Sequence, residues 1–310
     1  MNELVSVIIP TFNRADLLPW TLKSVLNQTY KQFEILVVDD GSTDGTGDVV
    51  ASFNDERIRF FYIDHHGYPA PARNKGISEA KGSYLALLDS DDLWFPGKLS
   101  SQVKAFEKNP DLFLVGTNIV NYPIPSKPVL NLKKDKIFSF REIFSFNRIM
   151  TSSVLFKKSI VQEIGLFDEH REFKAVEDYD YWLRLLHAYD KSVLVLKDIL
   201  TAYRIHEKNM SLISDSIAPL RELQRLVHVY EKYKGTYFGL LQRIISNRLA
   251  FVHYMLARTH LLNGEMNLFA FLGSNKISIR YKIKGVLLYC SNRLECMLPV
   301  SLRKIFPSQL

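Results

Sequence analysis

Residues 4–88 alternate between strand-like and helix-like segments, and this alternation constrains the fold more than any other feature of the chain. The runs LVSVIIP (residues 4–10) and FEILVVD (33–39) are continuous and apolar, which is typical of strands covered on both faces. Residues 14–28, between them, repeat apolar side chains at the helical period. The series continues with a helix at 46–53, a strand at 57–63, a helix at 71–80 and a strand at 84–88. This order predicts an α/β fold, a mostly parallel sheet with helices on both faces.

Polar clusters follow three of the predicted strands, at residues 11–14, 39–46 and 89–92. Ligands of open α/β sheets bind beyond the carboxyl ends of the strands. A single acidic cluster at a strand end indicates a solvated turn with an Asp as helix cap. Three polar clusters at one edge of one sheet predict a pocket.

The third cluster contains Asp89 and Asp91, two residues apart. If the chain stays extended there, alternate side chains point the same way, and both carboxylates can face one ion. Hard oxygen ligands suit Mg²⁺ or Mn²⁺, which keep waters and bridge to phosphate oxygens. The residues are too few for a closed cage, so the pattern favours a diphosphate substrate that completes the coordination.

Composition excludes several other classes of protein. The chain of 310 residues is 47% hydrophobic and 24% charged, as expected of a globular protein with a large core. Its two cysteines, Cys290 and Cys296, suit a reducing compartment and exclude a disulfide scaffold or a CxxC-type zinc site. We expect no signal peptide, because MNELVSVIIPTFNR has no basic region followed by a long apolar stretch. We expect no transmembrane helix, because no window reaches about 18 uncharged apolar residues.

A change in charge and pattern marks a boundary near Ser214. Residues 1–214 carry 26 Lys and Arg against 28 Asp and Glu, whereas residues 215–310 carry 14 against 5. Segments 219–233 and 240–262 place apolar residues at helical spacing, and segment 275–298 is basic first and apolar later. We predict a catalytic domain at 1–214 and a basic amphipathic helical region at 215–310. That region can pack as a bundle, form an oligomer or dock on an anionic membrane surface; no motif indicates nucleic-acid binding.

Five motifs occur together in the order and rough spacing of one known family. They are VSVIIPTFNR, ILVVDDGSTDGT, ARNKGI, LLDSDD and VEDYDYWLRL. In this the chain resembles the family 2 inverting glycosyltransferases with the Rossmann-like GT-A fold. The resemblance covers about residues 4–211 and does not extend to residues 215–310.

The resemblance implies roles for matching positions. Asp40 is similar to the carboxylate that receives the N–H of the nucleotide base, and Thr11 to a residue lining base and ribose. Arg73 matches a basic residue near the nucleotide. Asp89 and Asp91 resemble the DXD motif, in which Asp91 is the principal metal ligand and Asp89 also serves the nucleotide.

Two later positions complete the implied site. Asp178 resembles the catalytic base, and His206 lies where some relatives bring a His to the metal or diphosphate. The resemblance thus implies a Mn²⁺- or Mg²⁺-dependent enzyme that transfers a sugar from a nucleotide-sugar donor, most often a UDP-sugar, to a carbohydrate or lipid-linked acceptor with inversion. Its expected place is the cytoplasm, peripheral on the cytoplasmic membrane face, in cell-surface polysaccharide or glycoconjugate synthesis.

Each of these residues has a structural alternative. Asp40 can begin an Asx-type turn in DDGSTDG, and Arg73 can be a solvated charge at a helix N-terminus. Glu177 and Asp178 precede an amphipathic helix, where either can serve the helix dipole and cap. His206 can be a structural histidine.

Other functional classes explain fewer of the motifs. The LLDSDD loop also resembles that of haloacid dehalogenase-type phosphatases, which generally carry it on the first strand of the domain. Nucleotidyltransferases share the sheet type but usually open with a Gly-rich, basic loop, which IIPTFNRAD is not. A non-catalytic sugar-nucleotide or carbohydrate-binding subunit leaves the intact acidic motifs without a purpose.

Overall fold

The computed structural model describes residues 3–123, 127–206, 218–233, 240–262 and 274. The chain divides into two compact units, Met1–Ile213 and Ser214–Leu310, and each is described by itself.

The first unit alternates strands and helices, as expected for residues 4–88, and continues into a second series of elements. Its strands are β1 Val5–Thr11, β2 Phe33–Asp39, β3 Ile58–Tyr62, β4 Tyr84–Leu87, β5 Leu93–Trp94, β6 Leu114–Tyr122, β7 Lys136–Phe138, β8 Leu155–Lys157 and β9 Val193–Arg204. Its helices are α1 Leu18–Leu26, α2 Thr46–Ser52, α3 Pro69–Glu79, α4 Lys98–Lys108, α5 Phe140–Ser145, α6 Val161–Ile164 and α7 Glu177–Ala188. Short 3₁₀ turns occupy Thr151–Ser153, Lys158–Ile160 and Arg171–Phe173.

One sheet joins all nine of these strands, in the order β3-β2-β1-β4-β8-β6-β9-β5, with β7 paired to β9. Strands β1 to β4 are parallel to their neighbours within this group. Strand β8 is antiparallel to both β4 and β6, and β6 is parallel to β9. The carboxyl ends of β1 and β2 coincide, because Thr11 is paired with Asp39.

Helices cover both faces of the parallel half. Val7 and Ile9 of β1 belong to the same buried cluster as Leu22 of α1. Ile8 lies between them in sequence and therefore points to the opposite face. There it meets Gly76 of α3, where a Cβ atom would stand 2.4 Å from Ile8 Cγ2. Gly76 thus allows α3 to approach the sheet, and the predicted α/β architecture is confirmed.

The second unit contains two helices among its described residues, α8 Ala218–Lys232 and α9 Leu240–Leu262. They confirm the helices predicted at 219–233 and 240–262. The helix predicted at 275–298 lies outside the described residues. Among the helices that the structure describes, none is both long and apolar enough to cross a membrane.

Candidate active site

The ends of β1 and β2 bring Thr11 and Asp40 together. The Asp40 backbone N–H donates to the Thr11 carbonyl at 2.9 Å, which extends the pairing of the two strands by one step. Thr11 is buried, and its Oγ1 atom has no hydrogen-bond partner. Because a buried hydroxyl normally has a partner, this oxygen is a candidate contact for a ligand.

The adjacent aspartates Asp39 and Asp40 have different roles. Asp39 Oδ1 accepts from the backbone N–H of Ser42 at 2.9 Å and from its Oγ at 2.6 Å, so the Asx-type turn belongs to Asp39. Asp40 instead accepts from the backbone N–H groups of His66 at 2.8 Å and Gly67 at 2.9 Å. The Asp40 carboxylate therefore fixes the loop before α3.

An aromatic pair lies beside Asp40. The ring of His65 stacks on Phe12 at a centroid distance of 4.1 Å, and its Nδ1 atom is 2.8 Å from the Asp40 carbonyl oxygen. Phe12 is 37% exposed, so one aromatic surface remains open beside the carboxylate. Neither His65 nor Phe12 was among the predicted site residues, although Phe12 lies within the polar cluster at 11–14 and His65 follows the strand predicted at 57–63.

The acidic loop, residues 89–92, turns rather than continuing β4. The Asp92 N–H donates to the Asp89 carbonyl at 3.0 Å, which closes the turn. The extended geometry on which both carboxylates were expected to face one ion is therefore absent. Asp89 Oδ1 accepts from Arg73 at 2.8 Å, whereas Asp91 Oδ2 lies 2.9 Å from His206 Nε2.

The remaining carboxyl group of this loop, Asp92, is buried and accepts from the Arg204 backbone N–H at 3.0 Å. Burial, together with the nearby Asp91 and Asp89, holds the pKa of Asp92 well above its usual range. Three carboxyl groups in four residues thus divide into one paired with Arg73, one paired with His206 and one buried against the backbone.

Arg73, in α3, connects the acidic loop to the start of α7. It is buried, and its two terminal nitrogens donate to Asp89 at 2.8 Å and to Glu177 Oε1 at 2.6 Å. Burial alone lowers the pKa of Arg73, but the two carboxylates outweigh burial and raise that pKa above its usual value. Arg73 is therefore not a solvated helix-terminal charge. Its buried partner is Glu177, for which the sequence suggested a role in the helix dipole or cap.

Asp178 is the second residue of α7. Its Oδ1 accepts from the Tyr179 backbone N–H at 2.6 Å, and its Oδ2 accepts from Thr151 Oγ1 at 2.8 Å. Burial and then the neighbouring Glu177 raise the pKa of Asp178 from 3.8 to about 6, although Thr151 and Arg73 act in the opposite direction. One carboxyl oxygen thus contributes to the helix N-terminus. A pKa near neutrality is a common property of a general base.

Metal-binding capacity rests on few side chains. Within the described ranges, no group of three or more His, Cys, Asp or Glu is arranged to hold an ion. Asp91 and His206 are the predicted donors that the fold brings into direct contact, and Arg14 lies 3.6 Å from the same Asp91 oxygen. One carboxylate and one imidazole fit an open site for a divalent cation that is completed by a substrate and water.

Solved structures share this fold. Staphylococcus aureus TarS 1–349 in complex with UDP-GlcNAc is similar to the chain with a TM-score of 0.64 and 18% identity, covering 96% of this chain and 85% of that one. The mannosyltransferase PcManGT from Pyrobaculum calidifontis, in complex with GDP-Man and Mn²⁺, has a TM-score of 0.63 and 19% identity, with coverages of 94% and 80%.

Sequence relatives point the same way. The Escherichia coli UDP-Glc:alpha-D-GlcNAc-diphosphoundecaprenol beta-1,3-glucosyltransferase WfaP is 32% identical over 213 residues, which are 67% of this chain and 80% of that protein. The family model for glycosyl transferase family 2 matches residues 6–164. The chain therefore belongs to glycosyl transferase family 2.

Proposed function

We propose that this glycosyltransferase moves a sugar from a nucleoside diphosphate donor to an acceptor hydroxyl with inversion, in a reaction that depends on a divalent metal ion. The observation that carries the proposal is the environment of Asp178. The Asp178 carboxylate lies in the first turn of α7 with a pKa raised to about 6, and its neighbour Glu177 is joined through Arg73 to the acidic loop.

The nucleotide binds at the ends of β1 and β2. Asp40 is held by two backbone donors, and the ring nitrogens of His65 and His66 lie 3.1 Å and 3.4 Å from its two oxygens. Because each carboxylate oxygen accepts more than one hydrogen bond, Asp40 still offers an acceptor to a base N–H. The exposed face of Phe12 offers stacking to a base, and Thr11 Oγ1 offers a hydrogen bond. UDP is the preferred nucleotide, since the relative WfaP is named for a UDP-sugar donor.

Asp91 and His206 would hold the metal ion, and Asp89 remains a predicted ligand or nucleotide contact. A bound Mn²⁺ or Mg²⁺ supplies a Lewis acid that offsets the charge of the departing diphosphate. The neighbour PcManGT is described with Mn²⁺, which supports this choice. Arg73 keeps Asp89 in place, and Arg14 adds positive charge beside Asp91.

Asp178 accepts the proton of the acceptor hydroxyl while that oxygen attacks the anomeric carbon. An alcohol is a weak nucleophile until a base removes its proton in the transition state. One in-line displacement, with the base opposite the leaving diphosphate, inverts the anomeric configuration. The name of WfaP supports inversion, because a beta-glucosyl product formed from the alpha-linked sugar of UDP-glucose has the opposite configuration.

The acceptor is a carbohydrate, free or linked to a lipid, in the synthesis of a cell-surface polysaccharide or glycoconjugate. WfaP is named for a diphosphoundecaprenol-linked acceptor, which supports the lipid-linked form. The basic charge of residues 215–310 is suited to an anionic membrane that carries such an acceptor.

The proposal is tested by measuring the release of nucleoside diphosphate from a panel of UDP- and GDP-sugars. The assay contains Mn²⁺ and a sugar acceptor linked to a lipid through a diphosphate. We expect acceptor-dependent release from one donor, and a product of inverted anomeric configuration by NMR. Asp178→Asn is the matched control, since it preserves shape while removing the base. Donor binding without release from any member of the panel would favour the non-catalytic binding subunit instead.

A further inference from the structure

Thr151, Ser152 and Ser153 form one 3₁₀ turn between α5 and β8, and all three are buried, at 8%, 3% and 2% exposure. Buried hydroxyl groups require hydrogen-bond partners, because an unpaired one costs free energy. The three side chains find different partners. Ser153 Oγ donates to the Met150 carbonyl at 2.7 Å, within the turn itself. The other two bind opposite parts of the proposed active site.

Ser152 fastens the turn to the acidic loop. Its Oγ accepts from the Asp89 backbone N–H at 3.1 Å, and its carbonyl accepts from the buried Trp94 Nε1 at 2.7 Å. The next carbonyl, that of Ser153, accepts from Gln102 Nε2 at 2.9 Å. Because side chains from two other segments hold consecutive carbonyls, the backbone that carries Thr151 has a fixed position.

Thr151 in turn reaches the start of α7, where its Oγ1 donates to Asp178 Oδ2 at 2.8 Å. Asp178 Oδ1 already accepts from the Tyr179 N–H. Each carboxylate oxygen therefore has one protein donor and keeps a lone pair for an incoming hydroxyl. The two donors together fix the plane of the carboxylate.

We propose that Thr151 is a positioning residue for the proton transfer, which orients the Asp178 carboxylate and favours its ionised form. The inference rests on the proposed function, in which Asp178 is the base. In that step the acceptor O–H bond breaks and its proton goes to Asp178. The acceptor oxygen forms a bond to the anomeric carbon, and the electrons of the breaking anomeric C–O bond leave with the diphosphate.

The charged groups that act on Asp178 are Glu177, which opposes ionisation, and Arg73, which favours it. Burial also opposes ionisation. The Thr151 hydroxyl and the Tyr179 N–H are the hydrogen-bond donors that favour the carboxylate. Removing the hydroxyl therefore raises the pKa of Asp178, and a base with a raised pKa is ionised only at higher pH.

The test compares Thr151→Val, which removes the hydroxyl, with Thr151→Ser, which retains it, and with the matched control Ser153→Ala in the same turn. For Thr151→Val we expect the acid limb of kcat/KM to move up by about one pH unit and kcat to fall about tenfold, with the donor KM unchanged. We expect Thr151→Ser and Ser153→Ala to keep the acid limb of kcat/KM at the wild-type pH. Thr151→Ala replaces the valine variant if that variant does not fold.

A second readout does not depend on activity. In protein labelled with ¹³C at aspartate carboxyls, the Asp178 signal is identified by its absence in Asp178→Asn and titrated directly. A folded Thr151→Val variant with the wild-type Asp178 titration and the wild-type transfer rate would overturn the inference. So would a finding that Thr151→Val lowers the transfer rate of Asp178→Asn by the same factor as that of the wild type. If Asp178→Asn itself retains transfer, the proposed function fails, and the ¹³C titration still reports whether Thr151 acts on Asp178.

Discussion

Asp40 and Asp178 are carboxylates of the proposed active site, and their surroundings hold them in contrasting ways. Asp40 is bound by two backbone N–H groups of the loop that it stabilises. Asp178 is bound by one side-chain hydroxyl and one helix N-terminal amide, beside the like charge of Glu177. The first environment makes a fixed acceptor of hydrogen bonds, and the second makes a carboxylate that can take up a proton near neutral pH.

This difference shows how nucleotide binding and the chemical step can be assigned to different groups at one edge of the sheet. The nucleotide side is built from the ends of the parallel strands β1 and β2, where backbone amides are available. The reaction side joins the acidic loop after β4 to α7 and to the turn Thr151–Ser153, where side chains from distant segments add to the local backbone donors.

The largest effect is expected from loss of the metal ion, which serves the reaction side. Chelation with EDTA, or Asp91→Ala, should reduce transfer to background, a loss of roughly three orders of magnitude or more, because the charge of the leaving diphosphate is no longer offset. Restoring Mn²⁺ rescues the chelated wild type and not the variant. Full turnover after verified removal of metal would contradict the metal requirement.

Asp178→Asn should lower transfer by roughly two to four orders of magnitude, the usual contribution of general base catalysis. The amide preserves shape and one helix-terminal hydrogen bond, so a purely structural role predicts little loss. Steady-state transfer rates decide between the two.

Thermal unfolding provides the control for that variant. The raised pKa means that ionisation of Asp178 lowers the stability of the fold as pH rises from about 4 to about 6. Asp178→Asn removes this cost and should melt above the wild type at pH 7.5. A lower melting temperature would show that the lost activity reflects damage to the fold.

The pH dependence of the wild type is the next smaller effect. Since Asp178 must be ionised to accept a proton, kcat/KM should fall as pH drops below about 6, approaching tenfold for each further pH unit. Donor affinity measured over the same pH range shows whether a titrating group on the nucleotide side contributes to this fall in kcat/KM. An acid limb near pH 4 would place the base in an ordinary solvated environment.

The smallest effect concerns residues 215–310, which lie outside the comparison of the two sides. If their basic charge docks the enzyme on a membrane, the full chain should bind anionic liposomes at low salt and lose that binding as salt rises. Truncation after Ser214 should weaken binding and leave the transfer rate with a soluble acceptor largely unchanged. A full chain that ignores anionic liposomes favours the bundle or oligomer alternative.

The sequence was sufficient to predict the α/β fold, because strand and helix periods are local properties, and it also placed the proposed site at the carboxyl ends of the strands. Local patterns left open whether Asp40 begins the Asx-type turn of DDGSTDG. In the structure Asp39 forms that turn, and Asp40 binds the loop at 65–67. Local patterns also suggested an extended chain at Asp89, where a turn forms instead.

Local sequence patterns also could not predict contacts between side chains that are distant in the sequence. Glu177 pairs with Arg73 across 104 residues, and Thr151 meets Asp178 only because a 3₁₀ turn and a helix pack together. Motif order predicted which residues belong to the proposed site. Their contacts with one another depend on tertiary packing.

The most direct test of the separation of binding from chemistry is calorimetric titration of the donor into Asp178→Asn and Asp40→Asn. The transfer rate of each variant is measured alongside. Asp40→Asn should weaken donor binding about tenfold or more, because an amide N–H₂ then faces backbone N–H groups that need an acceptor. Asp178→Asn should bind the donor with wild-type affinity and transfer it poorly. Loss of donor binding in Asp178→Asn, or wild-type transfer by that folded variant, would contradict the account.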